Sequence, residues 1–221
     1  FTMLQLAHAL ATVVNGGQQI QPRVVQGLQD PVTHQITPPP RDATVPLGYQ
    51  PQHVELIKSA MANVTKAGTS TAIFAGAGYQ SGGKTGTAQA VTQGQNQRYN
   101  ARGLAEHKRD HSLYIAFAPE DKPTIALAVI VENAGWGATA AAPIARRVLD
   151  YWLLGQYPSA ADIAATQVGK SRGPIGTPRK AAEVPWPPEG MSVLVPISSG
   201  DPASSTDKSA ALHAVVAASG T

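Results

Sequence analysis

The sequence predicts an α+β fold in which helices flank an antiparallel sheet. Apolar residues recur at helical spacing in two segments, 2–15 and 51–67, which is typical of amphipathic helices. They alternate along 112–118 and run almost without interruption through 124–132, which predicts two strands. A Pro-Glu-Asp-Lys-Pro turn at 119–123 joins these strands, so we expect an antiparallel hairpin. With 43% apolar residues among 221, the chain can build a core.

The N-terminal half is predicted to supply the first two helices and little sheet. Thr2 can cap the first helix, and the glycine pair 16–17 ends it. Residues 18–28 alternate weakly and predict a short strand, and the proline-rich stretch 31–46 predicts a loop. The second helix begins at Pro51, because proline suits the first helical position, and it ends before the next glycine.

The C-terminal half is predicted to hold the hairpin, a final helix and a tail. A glycine-rich segment, 76–86, comes first, and a polar stretch over 89–109 predicts a loop or insert. The last helix is expected over about 139–154, with its apolar side against the sheet. The composition then shifts to Pro, Ala, Ser, Gly and Thr, which predicts disorder. We therefore divide the chain into a folded part, residues 1–157, and a low-complexity tail, residues 158–221.

The composition excludes several kinds of site. The chain has no cysteine, so it has no disulfide, no thiolate zinc site and no cysteine nucleophile. Its net charge of +3 forms no basic stripe and its aromatic content is 5%, so nucleic acid is not an expected partner. His107 and His111 are spaced like a metal pair on a helix, but they precede a strand, so we expect neither a metal nor a cofactor. No apolar run reaches the roughly 20 residues that span a membrane.

Residues 78–87, Gly-Tyr-Gln-Ser-Gly-Gly-Lys-Thr-Gly-Thr, carry the densest chemical signal and allow two interpretations. The first is a phosphate-binding loop, because Gly78 and the triplet 83–85 match G-x-x-x-x-G-K-[ST]. That loop needs a buried strand before it and a helix directly after it. Small residues precede the motif and Gln- and Gly-rich sequence follows it, so the context disfavours this interpretation. The second interpretation is a K-T-G triplet on a strand.

On a strand, the residues Lys84, Thr85, Gly86 and Thr87 combine groups that suit acyl transfer. A lysine ammonium beside a serine nucleophile favours proton removal and attracts a substrate carboxylate. Threonine hydroxyls can hold a carboxylate, a glycine lets an extended peptide approach, and a backbone N–H can help form an oxyanion hole. Pleating places Thr85 and Thr87 on one face and Lys84 on the other, so a shared site must lie along the strand edge. The alternative is a glycine-rich edge strand with a solvated lysine.

Six motifs follow one another along the chain: Ala67-Gly68-Thr69, Gly83-Lys84-Thr85-Gly86-Thr87-Ala88-Gln89, Arg98-Tyr99-Asn100-Ala101, Arg109-Asp110-His111, Ala116-Phe117-Ala118-Pro119 and Val131-Glu132-Asn133-Ala134-Gly135. Together they resemble the class B penicillin-binding proteins, and most closely the elongation-specific type. The resemblance covers about residues 1–157 and is absent from the tail. It implies the C-terminal part of the transpeptidase fold that penicillin-binding proteins share with serine β-lactamases, here incomplete.

The resemblance also implies a function, which we state as an expectation. The protein would be a peptidoglycan D,D-transpeptidase that cross-links stem peptides through a serine acyl-enzyme and is a target of β-lactams. Lys84 and Thr87 would be catalytic, Lys84 in the hydrogen-bond network of the nucleophile and Thr87 through its N–H at the oxyanion hole. Thr85, Gly86 and Thr87 would bind the substrate. The implied partners are a membrane glycosyltransferase and elongation-complex proteins. The implied location is the periplasmic face of the bacterial inner membrane, with an N-terminal anchor outside this chain.

The family's nucleophile motif has no counterpart that could function in this sequence. One S-x-x-K string, 81–84, overlaps the K-T-G strand, a second, 205–208, lies in the predicted tail, and no S-x-N occurs. We therefore expect the nucleophile upstream of residue 1 and an isolated chain without activity. A serine β-lactamase-like hydrolase, a P-loop nucleotide-binding protein and a non-catalytic interaction fragment remain as alternatives.

Overall fold

The first helix begins and ends where its local signals place it. The computed structural model describes residues 1–25, 27–91, 103–170 and 172–184, and the backbone of 213–218. Helix α1 spans Met3–Val14. Thr2 Oγ1 accepts a hydrogen bond from the Gln5 N–H at 3.2 Å, and Gln5 Oε1 accepts one from the Thr2 N–H at 2.8 Å. This reciprocal pair is a capping box, which satisfies two amide groups that the helix itself leaves unpaired.

The centre of the fold is an antiparallel sheet of four strands. Its members are β5 (Gly82–Ala88), β6 (His111–Ala118), β7 (Ile125–Val131) and β10 (His213–Ala218), in the order β10-β7-β6-β5. The register pairs Thr85 with Tyr114 and Ser112 with Val131. The predicted hairpin and the placement of K-T-G on a strand are therefore confirmed.

Helices cover both faces of this sheet, as the predicted α+β class requires. On one face lies α4 (Ala141–Leu154), whose alanines 141, 142 and 145 are fully buried and allow close approach. On the other face lie α1 and α2 (Pro51–Lys66). Pleating divides the strand residues between the two layers: Tyr114 packs with the α4 cluster, and Phe117 packs with Leu10 of α1. α3 (Thr71–Phe74) connects α2 to the sheet.

The segment between α1 and α2 differs from the expected strand and loop. It forms two small antiparallel pairs, β1 (Gln18–Gln19) with β4 (Val45–Pro46) and β2 (Leu28–Gln29) with β3 (Ile36–Thr37). The weak alternation found in the sequence has no buried face to reinforce it, since the apolar side chains here are exposed, Val24 fully. Short pairs of strands therefore replace one longer strand.

The first part of the predicted tail also differs from the expected disorder. Helix α5 spans Ala160–Gln167, and β8 (Gln156–Tyr157) pairs with β9 (Arg179–Lys180). The physical reason is an ion pair that composition does not reveal: Arg147 of α4 binds Asp162, whose side chain is 1% exposed. The other described part of the tail is the backbone of β10, while residues 185–212 and 219–221 lie outside the described residues. No helix in the described part of the chain is long and apolar enough to cross a membrane.

Candidate active site

The K-T-G strand lies at one end of the sheet, and only one of its edges is paired. β5 bonds to β6, and the described strands leave its other edge open. Lys84 and Thr87 are exposed and Thr85 is half-buried. The Lys84 ammonium donates a hydrogen bond to the Thr85 carbonyl at 2.8 Å. Polar side chains of both faces therefore stand beside a strand edge with which no other described strand pairs, which is the arrangement that an extended peptide needs for pairing.

The segment just after α2 supports this strand from the α4 side. Thr69 Oγ1 lies 3.3 Å from Thr85 Oγ1. Ser70 Oγ lies 2.8 Å from the Tyr114 hydroxyl and donates its own hydrogen to the Val64 carbonyl at 3.1 Å. A serine hydroxyl has one hydrogen, so Tyr114 is the donor to Ser70. Burial raises the pKa of Tyr114 to about 12.

Glycines let the strand lie unusually close to its support. A Cβ added at Gly83 would stand 2.1 Å from the Tyr114 hydroxyl, and one at Gly82 would stand 2.3 Å from the Phe117 ring. A Cβ at Gly137 would stand 2.5 Å from the Gly86 carbonyl oxygen and 2.4 Å from that of Leu113. A side chain at any of these positions would require the neighbouring atoms to move. The glycines therefore determine how closely the strand packs against the residues beneath it.

Hydrogen bonds from the strand residue opposite Thr87 hold the loop between β7 and α4 in place. Ser112, which pairs with Thr87 across the sheet, is fully buried. Its hydroxyl donates to the Trp136 carbonyl at 2.9 Å and accepts from the Ala141 N–H at 3.0 Å. The Trp136 side chain remains 69% exposed. Sequence reasoning missed Ser70 and Ser112, although a polar residue inside an otherwise apolar strand was a usable signal for Ser112.

Two of the other interpretations fail on the local geometry. Gly83, Lys84 and Thr85 lie inside a strand that continues to Ala88, so the helix required by a phosphate-binding loop does not follow, and that interpretation is wrong. Ser81 is 2% exposed while Lys84 points to solvent, so this S-x-x-K string does not form a nucleophile with its lysine.

The two histidines that were considered as a metal pair lie in different elements. His107 belongs to a short 3₁₀ turn, Glu106–Lys108, and His111 begins β6. His111 Nδ1 accepts the Asn133 N–H at 3.0 Å, which commits that nitrogen to the backbone. Within the described ranges, no three His, Asp or Glu side chains come together as metal ligands would.

The comparisons with known proteins agree with the motif order. A family model described as the penicillin binding protein transpeptidase domain matches residues 1–150. The peptidoglycan D,D-transpeptidase MrdA of Haemophilus influenzae is 37% identical over 162 residues, which are 69% of this chain and 24% of the relative. The MrdA protein of Acinetobacter baumannii is 39% identical over 153 residues, 69% of this chain and 22% of the relative. The chain thus spans about a quarter of these relatives.

Solved structures lead to the same family. Penicillin-binding protein 2 of Pseudomonas aeruginosa, in complex with WCK 5153, is 31% identical with a TM-score of 0.55. The match covers 70% of this chain and 31% of the Pseudomonas chain. A ceftriaxone acyl-enzyme of penicillin-binding protein A from Mycobacterium tuberculosis is 32% identical with a TM-score of 0.55. This match covers 69% of this chain and 32% of the mycobacterial chain. The resemblance drawn from the six motifs is confirmed, and this chain belongs to the family of penicillin-binding protein transpeptidase domains.

Proposed function

We propose that this chain supplies the K-T-G strand of a peptidoglycan D,D-transpeptidase whose serine nucleophile lies outside residues 1–221. The observation that carries the proposal is the edge position of β5, where Lys84, Thr85 and Thr87 stand beside a strand edge with which no other described strand pairs. Family membership supports the same conclusion, since the MrdA relatives are named as peptidoglycan D,D-transpeptidases.

The proposed reaction is acyl transfer in two steps. The serine oxygen attacks the carbonyl of the penultimate D-Ala of a stem peptide, and its proton passes through the hydrogen-bond network that Lys84 joins. The peptide bond breaks, the terminal D-Ala leaves as an amine that takes up a proton, and an ester remains on the serine. An amine of a neighbouring stem peptide then attacks the ester, forms the cross-link and releases the serine.

Each residue of the strand has a proposed part in this reaction. The Lys84 ammonium stabilises the developing negative charge around the nucleophile, and the Thr87 N–H donates to the oxyanion. The hydroxyls of Thr85 and Thr87 hold the substrate carboxylate, and Gly86 lets the stem peptide approach the backbone. The contact between Thr69 and Thr85 supports this role, because it restrains the Thr85 hydroxyl before the substrate arrives.

The proposed ligands and location follow from the same assignment. β-Lactams are expected to acylate the serine, as a ceftriaxone acyl-enzyme is described for the mycobacterial protein. We place the whole enzyme at the periplasmic face of the inner membrane, in cell elongation, with a membrane glycosyltransferase and elongation-complex proteins as partners.

The test is acylation by a fluorescent penicillin. We compare the 221-residue chain with an enzyme that contains this chain and the upstream S-x-x-K and S-x-N segments. The enzyme is expected to form a stable adduct and the chain none, measured by intact mass. Lys84→Ala in the enzyme is expected to lower the acylation rate by at least about 100-fold. Lys122→Ala, which changes an exposed lysine in the β6–β7 turn, is the matched control and leaves the rate unchanged.

Three outcomes would count against the proposal. An adduct on the 221-residue chain would mean that the nucleophile lies within it. An unchanged rate in Lys84→Ala would remove the proposed role of Lys84. A rapidly hydrolysed adduct, with turnover of the antibiotic, would favour a β-lactamase-like hydrolase over a transpeptidase.

A further inference from the structure

The short helix beside the candidate site has few means of holding itself in place. α3 consists of four residues, Thr71–Phe74, and the side chain of Ser70, which precedes it, binds elsewhere instead of capping it. A helix of one turn is not stable alone in water. The Ser70 carbonyl accepts the N–H groups of Ile73 and Phe74 at 3.0 and 3.1 Å. The position of Ser70, and of Thr69 before it, therefore depends on what fixes α3.

Arg146 of α4 makes the contact that fixes this helix. Its side chain is buried, and Nη1 donates to the Ile73 carbonyl at 3.0 Å and to the Ala75 carbonyl at 3.4 Å. Its Cζ lies 5.9 Å from the centroid of the Phe74 ring. The last carbonyl groups of a helix lack partners within the helix, and a cation at this end also complements the helix dipole. One guanidinium thus binds both the backbone and an aromatic ring of this segment.

A second set of contacts holds the guanidinium itself. Arg146 Nε donates to both carboxylate oxygens of Asp150, at 2.8 and 2.9 Å. The Tyr79 hydroxyl donates to the same carboxylate at 2.9 Å, and Asp150 is also buried. A guanidinium can bind a carboxylate and a carbonyl together because its N–H groups are fixed in one plane. A lysine ammonium is a point charge on a flexible chain, so we expect it to lose one of the two partners.

We propose that Arg146 is a positioning residue for the candidate site, which fixes α3 and thereby holds the Thr69 hydroxyl against Thr85. The two threonine hydroxyl oxygens lie 3.3 Å apart. The proposal rests on the proposed function, in which Thr85 holds the substrate carboxylate. A misplacement of about 1 Å at a distance from the reacting atoms can lower a rate about 100-fold. Loosening α3 is therefore expected to slow acylation, although Arg146 acts only through other residues.

The first test measures the rate of acylation by a fluorescent penicillin in an enzyme that contains this chain and the upstream S-x-x-K and S-x-N segments. Arg146→Lys is expected to lower this rate about tenfold. In a Thr69→Val background, the same change is expected to alter the rate less than about twofold, because the hydroxyl through which Arg146 acts is gone. In a Thr69→Ser background, which keeps the hydroxyl, the effect of about tenfold returns. Equal effects in the three backgrounds would overturn the proposal.

Arg147→Lys is the matched control, because Arg147 is the next residue of α4 and is also buried. Its guanidinium pairs with Asp162 and donates to the Arg172 carbonyl, and both of these partners lie outside α3. We expect this variant to lose stability while the folded enzyme keeps its acylation rate. An equal fall in rate for Arg146→Lys and Arg147→Lys would mean that the rate follows stability alone, and would refute the positioning role.

The second test is amide hydrogen exchange in the same enzyme, which needs no acylation. The N–H groups of Ile73, Phe74 and Ala75 are bonded to backbone carbonyls of residues 70 and 71. In Arg146→Lys they are expected to exchange at least about tenfold faster, while the amides of β6 and β7 exchange as in the parent. Unchanged exchange at these three amides would overturn the proposal, even if acylation became slower.

If Arg146→Lys does not fold, Tyr79→Phe takes its place, since it removes the hydroxyl that binds Asp150. We then expect acylation about threefold slower, again with the effect absent in Thr69→Val. A parent enzyme that forms no adduct would count against the proposed function. The exchange rates of α3 would still decide the role of Arg146: faster exchange in the variant supports it and unchanged exchange refutes it.

Discussion

Replacement of Gly83 by alanine is expected to destabilise the fold from inside the candidate site. The new Cβ would stand 2.1 Å from the Tyr114 hydroxyl oxygen and 2.5 Å from Cζ, well inside contact distance. Tyr114 is fully buried and stacks on Phe74 with a centroid separation of 6.1 Å. Its hydroxyl is bound to Ser70, which is also fully buried. The tyrosine therefore has little room to move, so we expect the strand to shift and the hydrogen bond between Tyr114 and Ser70 to break.

The size of the effect follows from these two responses. Overpacking of a filled core costs about 1–3 kcal/mol, and loss of a buried hydrogen bond costs about 1–3 kcal/mol. A Gly-to-Ala change also restricts the unfolded chain, which offsets roughly 0.4–1 kcal/mol. We expect Gly83→Ala to lower the free energy of unfolding by about 2–4 kcal/mol. The matched control is Gly86→Ala on the same strand, whose Cβ would be 3.2 Å from Leu113 Cβ and should cost about 1 kcal/mol or less.

Urea unfolding followed by circular dichroism measures both variants, with the midpoint falling and the slope unchanged. Adding Tyr114→Leu to Gly83→Ala should cost less than the sum of the two single changes, since the contact that causes the strain is gone. A Gly83→Ala protein within about 0.5 kcal/mol of the parent would show that the strand does not pack tightly against Tyr114.

Three further results are expected. Asp162→Asn leaves the buried Arg147 guanidinium without its carboxylate partner and should lower the free energy of unfolding in urea by about 3–5 kcal/mol. The control Asp42→Asn changes an exposed site and should cost almost nothing. Equal costs for the two variants would contradict the importance of the buried ion pair. The pKa of Tyr114 in the folded protein is raised from 10 to about 12. The stability that this shift contributes is therefore complete below about pH 10 and is lost as the pH rises towards 12. The fall in the free energy of unfolding between about pH 9 and 11.5 should be smaller in Tyr114→Phe. Thr2→Ala should cost about 1 kcal/mol by removing the cap of α1, and an unchanged urea midpoint would rule this out.

The elements that the sequence predicted best are those whose signals are local. The cap at Thr2 and the proline at Pro51 mark the observed starts of α1 and α2. The β6–β7 hairpin follows from two apolar runs and a turn only a few residues long. Each of these signals involves residues within about one turn or one hairpin of each other, so no knowledge of the tertiary structure is needed.

The features that were not predicted depend on partners distant in sequence. The helix α5 is held by Asp162, and nothing near Asp162 reveals that Arg147 needs a buried carboxylate. The same holds for Ser112, whose hydroxyl is satisfied by the backbone of a loop 24 residues away. Composition indicated a disordered tail because it counts apolar residues and cannot count ion pairs.

The candidate site shows the same division between local and distant information. The K-T-G triplet suggests the proposed chemistry, but the position of the strand depends on Tyr114, Ser70 and Gly137, which the triplet does not contain. The two ends of the sheet also differ in the described structure. The edge of β5 must stay open if it is to receive a stem peptide, whereas the edge of β7 is paired with β10.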